Sequence, residues 1–229
     1  SNEFDGNIDE LRVWDKVLTP GEILNGLNCE TSTATNLLAA YHFNQAYAGA
    51  DNAANTILMD ATGNGNNGNL TGFALTGLSS NWVAPGGVIS GTTCPTLTPA
   101  AALSLDGVND QVTIGTSNVD LSNKSFSVEM WLKHNSFLKY DVAFSQGNTG
   151  LPNQLLHIGF THPNMGAPKF GFAFDYNDLL VPITNDLTNW HHWACTFDNV
   201  TKERKIYRDG VLIGQDVSPS TFLGSGGST

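Results

Sequence analysis

At 229 residues and 40% hydrophobic content, the chain is long enough to bury one sizeable core or two small ones. With 24 glycines and only 14% charged residues, it suits many short strands joined by tight turns better than long helices. A net charge of −11 with ten Lys+Arg leaves no cation cluster for a phosphate backbone, which argues against nucleic acid and fits an extracellular surface or the attraction of hard cations.

In chain order, the first element is FDGNIDELRVW, Phe4 to Trp14. Alternation over residues 8–15 predicts a strand with Leu11 and Val13 on one face and Ile8, Glu10, Arg12 and Trp14 on the other. Thr19-Pro20-Gly21-Glu22 then predicts a helix start, with Thr19 as cap, Pro20 at the first helical position and Glu22 completing a capping box. The helix is expected to reach about Asn25 and to stop at Gly26. Residues 27–36 read as a connection and LLAAYHF (37–43) as a strand. ILMDATGNGNNGNL (57–70) predicts turns, because Gly and Asn accept positive φ, and APGGVISGTTCPTLTPA (84–100) reads as a linker.

ALSLDGVNDQVTI (102–114) gives two half-strands about an Asp-Gly turn. FSVEMWLK (126–133) alternates Phe126, Val128, Met130 and Leu132 against Glu129 and Trp131. FGFAFDY (170–176) alternates Phe170, Phe172, Phe174 and Tyr176, and WHHWACTFD (190–198) is richly aromatic. KIYRDGVLIG (205–214) is a hairpin turning on Asp209-Gly210. Together these elements predict an all-β fold, a two-sheet antiparallel jelly-roll sandwich, with Val128, Met130, Leu132, Trp193, Cys195, Phe197 and Ile206 buried.

The three cysteines form no CxxC pair, so neither a zinc nor a redox motif is supported. Cys195 lies in an apolar strand and reads as a buried free thiol. Cys29 and Cys94 sit in polar, Thr-rich surroundings and are either a disulfide or two unrelated thiols. No run is long and apolar enough to span a membrane. Asn69, Asn123 and Asn199 each begin an N-glycosylation tripeptide.

Four segments, ALSLDGVNDQVTI, SFSVEMWLK, NWHHWACTFDNVTKERKIYRDGVLIG and FDGNIDELRVWDKVLTPGEI, together resemble the concanavalin A-like, laminin-G-like jelly-roll family of bacterial surface proteins. LLAAYHFN and LMDATGNGNNGNLTGF resemble the lead-in strand and Asn/Gly-rich turn that often precede that fold. In the family, the string like FDGNIDELRVW comes last; here it comes first. The resemblance therefore divides the chain into a closing strand and short helix (1–27), a lead-in strand and connection (28–100) and the main body of a jelly roll (101–229). It also implies that the closing strand lies beside ALSLDGVNDQVTI with Leu11 and Val13 facing the core. The out-of-phase order points to one period of a tandem array. A circular permutation would give the same text, so Phe4, Ile8, Leu11, Val13 and Trp14 form a strand that fills this slot in their own sandwich or, as the tandem expectation has it, in a neighbouring copy, head to tail.

The function expected on these grounds is a non-catalytic structural or adhesive repeat of a large extracellular bacterial surface or filament protein. The alternative is a calcium-dependent carbohydrate-binding module. Retaining glycosidases need a carboxylate pair about 5–5.5 Å apart. Glu129 stands between Ser127 and Trp131 on its face, and Asp9 and Glu10 point opposite ways. His191 and His192, adjacent on a strand, cannot converge on one ion. No GxSxG elbow or phosphate loop is present. Candidate calcium ligands are Asp106, Asn109 and Asp110, with Asp9 brought beside them by the family resemblance; the same residues also make turns through their own backbone bonds. Trp131, Trp190, Trp193, Phe172 and Tyr176 are candidates to stack on sugars or to fill the core.

Overall fold

The computed structural model describes residues 3–90, 98–99, 101–115, 119–136, 141–148, 150–161, 166–184, 186 and 189–224. Strand β1 (Asp5–Trp14) leads into helix α1 (Pro20–Gly26), which carries the expected Thr19–Glu22 capping box. Six short strands follow, in a region that the sequence reads mostly as turns and linker. They are β2 (Leu37–Tyr41), β3 (Ile57–Leu58), β4 (Gly68–Thr71), β5 (Asn81–Val83), β6 (Ile89–Ser90) and β7 (Thr98–Pro99). The body comprises β8 (Ala102–Asp106), β9 (Gln111–Ile114), β10 (Phe126–His134), β11 (Asp141–Gly147), β12 (Leu155–Phe160), β13 (Lys169–Ala173), β14 (Asp178–Pro182), β15 (His191–Phe197), β16 (Glu203–Arg208) and β17 (Val211–Val217).

These strands form a two-layer antiparallel sandwich. One layer has the order β17-β16-β15-β10-β1-β8-β5, with β2 also paired to β1; the other is β11-β12-β13-β14. Strands β3, β4 and β9 make a small third sheet, so the two halves of ALSLDGVNDQVTI part company at the Asp106-Gly107 turn and join different sheets. Val128, Met130, Leu132, Trp193, Cys195, Phe197 and Ile206 all lie in the core between the layers, as alternation predicts. Across that core Phe170 stacks on Trp193 with ring centroids 3.9 Å apart, and Phe126 meets Phe172 edge-on at 6.0 Å. In β16–β17 the turn residues Asp209 (φ 52°) and Gly210 (φ 76°) both adopt the left-handed region, the geometry that Asp-Gly signals in a two-residue hairpin.

Strand β1 is central. Strand β10 flanks it on one side; on the other, β8 pairs with Asp5 to Ile8 and β2 with Leu11 to Trp14. The slot beside ALSLD is filled by the chain's own first strand. Phe4, Ile8, Leu11 and Val13, expected to contact a neighbouring copy, lie in the core of their own chain, and Trp14 lies in a satellite cluster with Ile23 of α1. One departure from simple alternation makes this possible. Glu10 has φ 49°, and the register with β10 slips between Asp9 and Arg12. Such a bulge inserts one residue and resets which face the later side chains take. Ile8, assigned by alternation to the opposite face, therefore joins Leu11 and Val13 inside.

The outer face of the large layer is also covered. Leu27, Val88 and Trp131 form a cluster there, with Trp190 packed against it. A Cβ on Gly87 would lie 2.6 Å from that of Trp131, and one on Gly86 would lie 2.5 Å from Asp9 Oδ2, so the two glycines of APGGV permit this close approach. Residues 84–88, read as linker, are thus part of a cap. Cys29 is disulfide-bonded and Cys195 is a free, buried thiol. Cys94, the expected partner of Cys29, lies outside the described residues.

Candidate ligand-binding groove

The exposed face of the four-stranded layer follows from its alternation. Leu156, Ile158 and Phe160 of β12 and Phe170 and Phe172 of β13 turn into the core, so the residues between them turn outward. Register then sets two cross-strand rows on that outer face: Val142, Gly159, Gly171 and Leu180, and beside it His157, Ala173 and Asp178. A groove of about 270 Å³ runs over these rows, with Asp175 also in its lining. Its floor is backbone, because the two glycines stand directly opposite each other. The glycines have different causes. A Cβ on Gly159 would run into the Asp141 carbonyl, whereas one on Gly171 would lie 3.1 Å from Leu180 Cδ2 and 3.8 Å from the nearest backbone oxygen.

Burial lowers the His157 pKa below 6.5, although Asp175 and Asp178 pull it upward. At neutral pH the imidazole is uncharged, with one nitrogen donating and the other accepting. Asp175 and Asp178 supply the accessible carboxylates, and among the described residues neither Lys nor Arg lines the groove. Asp141, in one wall, is buried and hydrogen-bonded to His134.

The candidate sugar-stacking aromatics separate cleanly. Trp131, Trp193 and Phe172 are buried, and Trp190 packs against the cap. Tyr176 is 77% exposed. It breaks the alternation of Phe170, Phe172 and Phe174 because the chain reverses there: Phe174 N donates to Asn177 O at 2.9 Å around Asp175 and Tyr176.

The expected calcium ligands do not assemble as the resemblance implied. Asp106 faces Asp5 across the β1–β8 ladder, whereas Asp9 faces Trp131 on β10. Asp9 accepts hydrogen bonds from Glu10 N at 2.9 Å and Val88 N at 3.0 Å, and burial holds its pKa well above the usual range. At the turn, Asp106 accepts from Val108 N at 2.8 Å, and Asp110 accepts from Asp106 N at 2.9 Å and Ser80 Oγ at 2.7 Å. Asn109 lies in the same turn, with its backbone against Gly72. Among the described residues, no group of three or more His, Cys, Asp and Glu could hold a metal.

Glu129 proves to be the centre of a buried network that the sequence reading missed. It lies 3.1 Å from Arg12 Nε and 3.4 Å from His192 Nε2, and accepts from Trp14 Nε1 at 2.9 Å. Burial raises its pKa, but Arg12, His192 and Trp14 outweigh that and hold it below 4.5. His191 points the other way, between Asp186 (3.1 Å) and Asp209 (2.7 Å), as adjacent strand residues must. Only the cross-strand register brings Arg12 opposite Glu129, which explains why no local motif announces the pair.

A sequence profile of the concanavalin A-like lectin/glucanases superfamily, laminin-G type, matches residues 106–229, just over half of the chain. The chain belongs to the concanavalin A-like lectin/glucanase superfamily. No curated protein and no solved structure matches it. The matched part of this superfamily member includes all four strands beneath the groove and leaves β1 outside, although β1 fills the centre of the large layer. Among the described residues no helix is long and apolar enough to cross a membrane.

Proposed function

We propose that this superfamily member is a non-catalytic adhesive module that binds carbohydrate in the groove over the four-stranded layer. One observation carries the reading: the opposed glycines Gly159 and Gly171 open a backbone-floored trough beside Asp175, Asp178 and a neutral His157. Sugar hydroxyls both donate and accept. Carboxylates and an uncharged imidazole match them, and a few convergent polar groups over an otherwise plain surface are the usual make-up of a small-molecule site. The non-catalytic part of the reading is supported by the carboxylates of β1 and β10. Asp9, Glu10 and Glu129 are all buried, and Glu129 stays ionised and tied to Arg12. A disulfide at Cys29 favours an oxidising, extracellular setting.

The test is a glycan array with the intact chain and a Gly171→Val variant, whose side chain fills the trough and whose Cβ meets the movable end of Leu180. Retained melting temperature with lost glycan signal is expected. Unchanged glycan signal in the variant would remove the groove from the reading, and release of reducing sugar from any bound polysaccharide would overturn the non-catalytic assignment.

A further inference from the structure

The hairpin between β13 and β14 is tighter than its sequence should allow. Asp175 has φ 46° and Tyr176 φ 60°. A two-residue turn of this kind needs both central residues in the left-handed region, where Asn and Gly are the ordinary occupants and a bulky side chain is strained. Strain of this sort persists only where the surroundings over-determine it, and it gathers at functional sites.

The surroundings here are specific. Arg204, only 1% exposed, donates to Asn177 O at 2.7 Å, to Phe172 O at 3.3 Å and to Asn177 Oδ1 at 3.1 Å, and its Nε is held by Asp216 at 2.9 Å. The Asn177 amide donates to Asn153 Oδ1 and Ser218 Oγ, both at 2.8 Å. Asp175 O accepts from Asn153 N, and Asp175 Oδ2 from Gly150 N, each at 3.1 Å. Both neighbours of Tyr176 are thus pinned while Tyr176 itself is displayed to solvent. A hairpin needing only to reverse the chain would be served better by glycine at 176.

We infer that Tyr176, the residue after Asp175 of the groove lining, serves as an aromatic platform for the groove's ligand, and that this ligand is a neutral pyranose whose C–H face lies on the phenol ring while its hydroxyls reach Asp175 and Asp178. This rests on the carbohydrate reading of the groove. Neutrality follows from the lining, which among the described residues holds carboxylates but neither Lys nor Arg, in a chain of net charge −11. A sulfated or uronic sugar would meet like charge at close range.

The test is calorimetric titration with cellohexaose, xylohexaose and a β-galactose hexamer, against a heparin hexamer as the anionic arm, using wild type, Tyr176→Phe, Tyr176→Gly and Gly171→Val. A neutral hexamer should bind and heparin should not. Tyr176→Phe should retain binding. Tyr176→Gly should lose about tenfold or more in affinity, the size of one buried aromatic contact, with a melting temperature equal to or above wild type. Binding of Tyr176→Gly within about twofold of wild type, while Gly171→Val fails to bind, overturns the platform and leaves the groove reading standing. Loss in Tyr176→Gly with none in Gly171→Val removes the groove as the site and so overturns Tyr176 as its platform. Preference for heparin overturns the ligand class, and absence of binding by wild type defeats both.

Discussion

Arg12 Nε lies 3.1 Å from Glu129 Oε1 in a place where neither side chain meets solvent. The pair joins β1 to β10. Arg12 also donates to the carbonyls of Gly26 at 3.0 Å and Cys29 at 3.1 Å, which ties the cap to the sheet. Removing one partner strands the other as a buried charge, so Arg12→Met or Glu129→Leu should each destabilise by about 3–5 kcal/mol. The double variant should recover much of that loss, since two apolar side chains leave no charge behind. Urea unfolding of the four proteins measures this; a double variant as weak as the sum of the singles would contradict it. The pH dependence has a fixed sign. The Glu129 pKa is lowered in the fold, so its contribution is present above the unfolded value near 4.5 and is lost as pH falls through the folded value. Glu129→Gln should flatten the acid limb of the stability curve.

The glycines of the groove floor should respond unequally to the same methyl group. Gly159→Ala drives a Cβ into the Asp141 carbonyl and should cost about 1–3 kcal/mol. Gly171→Ala meets the movable end of Leu180 at 3.1 Å and should change stability by no more than ~1 kcal/mol. Thermal melts decide the matter, and equal losses at both positions would mean that the floor is set by something other than that carbonyl.

His157 predicts how ligand binding responds to pH. Burial lowers its pKa below the ordinary 6.5, so the ring is mainly neutral at neutral pH and charges only on acidification. Affinity for a neutral glycan should be flat from neutral pH upward and change only below 6.5. Fold stability shares this sign, being present above the unfolded value near 6.5 and lost as pH falls through the folded one. Titrations across this range with wild type and His157→Gln test it: the variant should lose the acid-side change. A transition above pH 7 in wild type would assign the response to another group.

Much of the large layer was legible because its signals are local. The capping box at Thr19 and Glu22, the alternation of Val128, Met130 and Leu132, and the Asp209-Gly210 turn each depend on residues within a few positions. What escaped depends on partners far along the chain. A single bulge at Glu10 moved Ile8 to the core face, and nothing in DELRVW marks it. Strands β11, β12 and β14 were not read at all, although Leu156, Ile158, Leu179 and Val181 carry core positions. The groove was invisible for the same reason: Gly159 and Gly171 become one floor only through the β12–β13 register. Tyr176 is a candidate from sequence, but its exposure is fixed by a turn that Arg204 braces at Asn177, 27 positions away.

The position of β1 gives the last prediction. Phe4, Ile8, Leu11 and Val13 are all buried by it, at about 1.5–3 kcal/mol each, or roughly 6–12 kcal/mol together. That sum is comparable to the whole stability of an ordinary domain, about 5–15 kcal/mol. Deleting residues 1–15 also strips β8 and β10 of a partner and leaves Glu129 without Arg12. The truncated chain should therefore fail to fold alone, and an added peptide of sequence FDGNIDELRVW should restore part of its β signal by occupying the vacated slot. The intact chain should sediment as a monomer at all concentrations, because the strand that would join copies is used internally. Concentration-dependent polymers of the intact chain that vanish on deletion, from a truncated unit that stays folded and captures the peptide, would instead show that β1 passes from one copy to the next.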